Sequence, residues 1–197
     1  MKIGCYGDSN TYGFDPRRGG AVRLPSNCRW PGILNGMPEF KVINEGQNGR
    51  CIPHLKWEFY QFGQMLAEND GLDVLTIMLG SNDLVVIYKA TAETVCGRMR
   101  ELFEEKNVPQ LGKLIKEGKR VILMAPPVLD IDESMLAKRI GRFSGELRRE
   151  YRLLAEDLGI EFLDVNEWNP KMSFDGVHIA PEGHAVIANK LREYLLA

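Results

Sequence analysis

The sequence lacks most of what would place it in several large classes of protein. Its 197 residues hold 25 Lys or Arg against 27 Asp or Glu, a net charge of −2. That balance supplies no basic excess to draw it to nucleic acid or to an anionic membrane surface. No apolar run approaches the roughly 20 residues of a bilayer span, so no membrane insertion is expected. With the apolar run at 2–6 read as a first strand, no signal peptide is expected, and a cytoplasmic location is the expectation. Internal repeats, low-complexity tracts and linkers are absent, which leaves one domain over residues 1–197. The four cysteines, Cys5, Cys28, Cys51 and Cys96, form no Cys-x-x-Cys pair, so no zinc site is expected. Cys5 lies in an apolar run and reads as a small buried hydrophobe. Cys51 follows a glycine-rich turn, near a candidate site.

What is present is a regular alternation. Short runs rich in Val, Ile and Leu fall at 2–6, 41–44, 73–79, 120–125 and 161–165. Their nearly unbroken apolar character is that of strands buried on both faces. Helical spacing appears between and after them, at 57–68, 91–106, 110–117, 134–158 and 181–196, the last opening on Pro181 at a position suited to the first helical turn. Strand–helix alternation of this kind predicts a three-layer α/β/α domain around a parallel sheet. Right-handed crossovers favour the flavodoxin-like strand order 2-1-3-4-5. Two stretches fit no regular element: 14–29, with Arg17, Arg18, Gly19, Gly20 and Arg23, and 126–133. The arginines read as a solvated loop, or as a lid steering an anionic substrate.

In an open α/β sheet, ligands bind beyond the carboxyl ends of the strands. The first predicted strand is followed by Gly7-Asp8-Ser9-Asn10. After the second comes Glu45-Gly46-Gln47-Asn48-Gly49-Arg50, and after the third Gly80-Ser81-Asn82-Asp83. Beyond the fifth lies Asp175-Gly176-Val177-His178. Turn chemistry explains one or two such blocks; all four point to a single site. A serine hydroxyl is a weak nucleophile until a base takes its proton. Histidine suits that task near neutral pH, and a carboxylate holds its tautomer. Ser9, His178 and Asp175 fit these roles. Oxyanion donors are then expected from the Ser9 N–H, the Gly46 N–H and the Asn82 side-chain amide. Candidate substrate contacts beside them are Asn10, Trp30, Arg50, His54 and Val177. His184 reads as structural, and Asp8 and Asp83 as residues that fix turns. The chemistry requires no metal and no organic cofactor.

The Gly-x-Ser-x-Gly elbow of α/β-hydrolases is missing, since Asn10 and Thr11 follow Ser9. The four blocks, in this order, instead resemble the SGNH (GDSL) hydrolase superfamily. Arg29-Trp30, Val42-Ile43-Asn44-Glu45-Gly46 with Gly49-Arg50, and Met78-Leu79-Gly80-Ser81-Asn82-Asp83 are similar to its arylesterase and acyltransferase branch. The resemblance implies a serine esterase with Ser9, Asp175 and His178 as its triad. It would cleave short-chain acyl esters through an acyl-enzyme, with alcohols as competing acceptors. A sugar or small-metabolite O-deacetylase is the alternative within that chemistry. A flavodoxin-like protein cradling a phosphate on Ser9, Asn10 and Thr11 is the alternative outside it, and it leaves Asp175 and His178 without a role. The expected partner is a small acyl ester. A homo-oligomer is compatible with the sequence.

Overall fold

A computed structural model describes residues 1–18, 22–131 and 135–197, without the side chains of 135–137. Among the described residues, five strands form one parallel sheet: β1 (Lys2–Gly7), β2 (Lys41–Gly46), β3 (Val74–Met78), β4 (Arg120–Ala125) and β5 (Glu161–Asp164). Their order is β2-β1-β3-β4-β5, as the alternation predicts. In register, Gly7 at the end of β1 lies beside Gly46 of β2 and Met78 of β3. Three strand ends that precede sequence blocks therefore come side by side.

The strands read as continuous apolar runs because each face has its own core. Ile3, Cys5, Val74, Met78, Ile122 and Met124 face one cluster, completed by Trp30 and Leu34 of α2 (Trp30–Asn35) and by Ile187 and Leu191 of α8 (Pro181–Leu196). Their neighbours Tyr6, Leu75, Ile77, Val121 and Leu123 face the other. That second cluster takes side chains from α3 (Lys56–Glu68), α5 (Ala92–Phe103), α6 (Pro109–Lys116) and α7 (Met135–Leu158). Alternate strand residues point to opposite faces, so the two clusters are the outer interfaces of a three-layer fold.

Three helices go beyond the sequence expectation: α1 (Ser9–Tyr12), α2 and α4 (Ser81–Val86). Each is one or two turns long, too short to carry a periodic signal and too short to persist without tertiary contacts. In the segment 14–29 a bridge joins Phe14 to Arg23. Asp15 binds the Arg17 guanidinium at 2.8 Å, and Arg23 donates to the Tyr12 carbonyl at 2.7 Å while lying over the Tyr12 ring. Arg17 is thereby tied to Asp15 and Arg23 to the end of α1, while Arg18 stays largely exposed. Gly19 and Gly20, the end of the 126–133 stretch and Ser134 lie outside the described residues. None of the described helices is long and apolar enough to cross a membrane.

Candidate active site

The nucleophile candidate stands at a strand-to-helix elbow. β1 ends at Gly7, and Asp8 caps α1 by accepting the Asn10 N–H at 2.9 Å. Gly7 has no room for a Cβ, which would sit 2.1 Å from Thr11 Oγ1. Ser9 is thus the first helical residue, at the carboxyl edge of the sheet. Asp8 itself is buried, and its Oδ2 has no partner among the described residues. Burial pushes its carboxyl up to about 7.

His178 reaches Ser9 from 169 positions further along the chain: its Nε2 lies 3.0 Å from Ser9 Oγ. Its Nδ1 lies 2.6 Å from Asp175 Oδ2. Asp175 Oδ1 accepts the backbone N–H groups of Val177 and His178 at 3.1 and 3.0 Å. Burial raises the Asp175 carboxyl, but these hydrogen bonds, led by the His178 ring, outweigh it and hold it below the ordinary carboxylate range. An ionised carboxylate only accepts, so Nδ1 carries the proton and Nε2 is left to accept from the serine hydroxyl. That is the tautomer a general base needs. Phe14, to which the sequence assigned no role, packs against the imidazole with ring centroids 4.6 Å apart.

The oxyanion donors require a correction. The Gly46 N–H already donates to Asn44 Oδ1 at 2.9 Å, while Asn44 Nδ2 donates to the Thr11 carbonyl. A Cβ on Gly46 would lie 2.1 Å from Tyr12 N, so glycine is needed there for the close approach of α1 rather than of a substrate. Three residues on, Gly49 has φ +72°, open space where a Cβ would stand and, among the described residues, an N–H without an acceptor. The Ser9 N–H likewise has no acceptor among the described residues. Asn82, at the start of α4, donates through Nδ2 to the Arg50 carbonyl at 3.0 Å. That bond ties the 49–50 turn to α4 and leaves a second amide proton. The Asn-Gly pair at 48–49 was the available clue to this turn.

Of the candidate substrate contacts, two are buried. Trp30 is fully enclosed, and its Nε1 donates to the Asn10 carbonyl at 3.2 Å. Asn10 is 2% exposed and bonds to the His178 segment. Neither can touch a substrate. Val177 packs partly buried against the core. Arg50 binds the Gly7 carbonyl at 3.0 Å, the Glu45 carbonyl and Gln47 Oε1, and stacks 4.2 Å over Tyr6, so it braces the ends of β1 and β2. His54 lines an open cavity of about 400 Å³ with Glu45, Gln47, Trp57 and Gln61, whose wall includes Gly49 and Arg50. Cys51 also lines it, its thiol pushed up to about 11 by burial. Asp83 is more than a turn former: it is fully buried, accepts the Ile52 N–H at 3.0 Å and meets Arg98 at 3.4 Å. His184 is structural, with a neutral Nδ1 accepting the Trp30 N–H at 3.4 Å; burial holds its pKa at about 3. No cluster of three or more metal-binding side chains occurs among the described residues.

Residues 5–186 match the GDSL-like lipase/acylhydrolase family. The chain belongs to that family. Among curated proteins, no sequence matches it significantly. Solved structures of similar fold include Est24, a carbohydrate acetylesterase from Sinorhizobium meliloti, with a TM-score of 0.81 and 23% identity over 99% of this chain and 98% of that one. The aryl esterase of M. smegmatis has a TM-score of 0.81 and 24% identity over 98% of this chain and 97% of that one. A carbohydrate acetylesterase family member from Sinorhizobium meliloti has a TM-score of 0.77 and 27% identity over 98% of this chain and 96% of that one. This GDSL-like acylhydrolase is therefore a serine hydrolase acting on ester bonds, on the SGNH fold. The phosphate-cradle alternative falls.

Proposed function

We propose that Ser9 is the nucleophile of a short-chain acyl esterase, with His178 as general base and Asp175 as its partner. The carrying observation is the unbroken run Asp175–His178–Ser9, with contacts of 2.6 and 3.0 Å. Ser9 Oγ attacks the ester carbonyl as its proton passes to His178 Nε2, giving a tetrahedral oxyanion and an imidazolium held by Asp175. The Ser9 N–H, the Gly49 N–H and the Asn82 amide donate to that oxyanion. Collapse expels the alcohol, which takes the proton from Nε2 and leaves Ser9 acylated. Water, deprotonated by the same nitrogen, then releases the acid and restores Ser9.

Hydrolysis of p-nitrophenyl acetate tests this. Ser9→Ala should lose activity by several orders of magnitude, with the fold retained by circular dichroism. A Ser9→Ala rate equal to that of the unaltered protein sinks the reading. One feature favours a second reading, the O-deacetylation of a sugar. The cavity beside Gly49 is lined by Glu45, Gln47 and Gln61 together with an exposed Trp57, a lining suited to a polyhydroxylated alcohol. Higher kcat/KM on acetylated sugars than on aryl acetates would favour it.

A further inference from the structure

The sequence places an asparagine directly after the nucleophile, and the structure uses every polar group it has. The Asn10 N–H caps onto Asp8, and its carbonyl accepts from Trp30 Nε1. Its side chain crosses to the histidine segment. Nδ2 donates to the Val177 carbonyl at 3.1 Å, and Oδ1 accepts the Ile179 N–H at 2.9 Å. These are the groups flanking His178 on either side. The amide therefore holds the base by both adjacent peptides, from the residue next to Ser9.

Among the described residues, the other backbone hydrogen bonds of that segment do not reach α1. Ser173 donates to the His178 carbonyl at 2.7 Å, and Asp130 donates to the Gly176 carbonyl at 2.9 Å. Gly176 meets the 130–131 backbone so closely that a Cβ would collide with the Asp130 carbonyl oxygen. The bonds between Asp175 and His178 lie within one turn of chain. They orient the imidazole on its own loop but do not fix the loop relative to α1. Phe14, whose N–H donates to the Ser9 carbonyl at 3.0 Å, packs its ring on the imidazole, and Asn10 supplies the side-chain hydrogen bonds that tie the loop to α1.

We propose that Asn10 is a positioning residue that sets the distance between Ser9 Oγ and His178 Nε2. The proposal rests on the reading of those two residues as nucleophile and base. Near-attack geometry is steep: a misplacement of about 1 Å costs on the order of 10²-fold in rate. An Asn10→Leu side chain fills similar space but leaves the Val177 carbonyl and the Ile179 N–H unpaired. Asn10→Asp keeps an acceptor for Ile179 and loses the donor to Val177.

The test is steady-state hydrolysis of p-nitrophenyl acetate by both variants, with the proton NMR signal of the His178 Nδ1–H bonded to Asp175. Asn10→Leu should lower kcat by roughly 10- to 100-fold, with KM within about threefold. Asn10→Asp should fall between it and the unaltered enzyme. The downfield Nδ1 proton should persist in both, because the Asp175–His178 contact is local. Inactivation by a fluorophosphonate should slow in step with kcat. A folded Asn10→Leu with full kcat overturns the proposal. If that variant does not fold, a folded Asn10→Asp with full kcat overturns it equally, and loss of the Nδ1 signal together with activity would show general disruption of the loop instead of displacement. Ser9→Ala measured alongside separates the two claims: undiminished activity there ends the underlying reading, whereas its loss with an unaffected Asn10 variant ends this inference alone.

Discussion

At the residue scale, two glycines three positions apart in the chain are separated by what surrounds them. Gly46→Ala forces a methyl to within 2.1 Å of Tyr12 N, which is backbone and cannot step aside. It should destabilise the fold and lower activity by displacing α1. Gly49→Ala meets nothing within 4 Å; its cost is the positive φ of +72°, about 1 kcal/mol. Since alanine keeps the N–H, Gly49→Ala should retain kcat within a few-fold. Urea unfolding and p-nitrophenyl acetate assays of the pair check this; a stable, fully active Gly46→Ala would contradict the packing argument. The sequence could not make the distinction. It shows two glycines after a strand, and the engagement of one N–H by Asn44 depends on where β2 ends. The meeting of Ser9, His178 and Asp175 was legible because few residue types suit such chemistry and Ser9 directly follows a strand end. Burial was not legible: Asn10 is a polar member of the first block and Trp30 an aromatic residue, and only packing shows them inside.

Elements follow the same division. Pro181 and an apolar stripe delimit α8, and the sequence range coincides with the helix. β2 runs two residues past its predicted end, because pairing with β1 continues through Glu45 and Gly46 after the apolar run stops. The short helices α1, α2 and α4 are held by contacts from remote segments, which no local pattern announces. α4 illustrates this. Asn82 and Asp83 fasten it to the turn at 50–52 through the Arg50 carbonyl and the Ile52 N–H. Arg98 of α5 then faces the buried Asp83 carboxylate. Arg98→Met should leave that carboxylate without its cation, costing about 1–3 kcal/mol in urea unfolding, and should reduce kcat as the turn bearing Gly49 loosens. Unchanged stability and kcat would mean that α4 holds the turn without help from α5.

Across the whole molecule, two buried titratable groups impose opposite pH dependences. Asp8 rises from 3.8 to about 7 on burial. The folded chain keeps this proton where the unfolded chain has lost it, so its stabilisation is complete below 3.8 and is lost as pH climbs through 7. Burial of Asp83 acts in the same direction. His184 falls from 6.5 to about 3 on burial, so its contribution is complete above 6.5 and disappears as pH drops through 3. Between roughly pH 4.5 and 6.5 the Asp8 and His184 slopes oppose each other, each about 1.4 kcal/mol per pH unit. Removing one exposes the other. Asp8→Asn retains an acceptor for the Asn10 N–H and abolishes one slope. Its stability relative to the unaltered protein should rise by about 3 kcal/mol from pH 4.5 to 6.5. His184→Gln keeps an acceptor for the Trp30 N–H, and its relative stability should fall by about the same amount over that interval. Urea midpoints at the two pH values measure both. Parallel curves for all three proteins would mean that neither group changes its proton occupancy on folding, and the buried floor beneath Ser9 would then have to be wet.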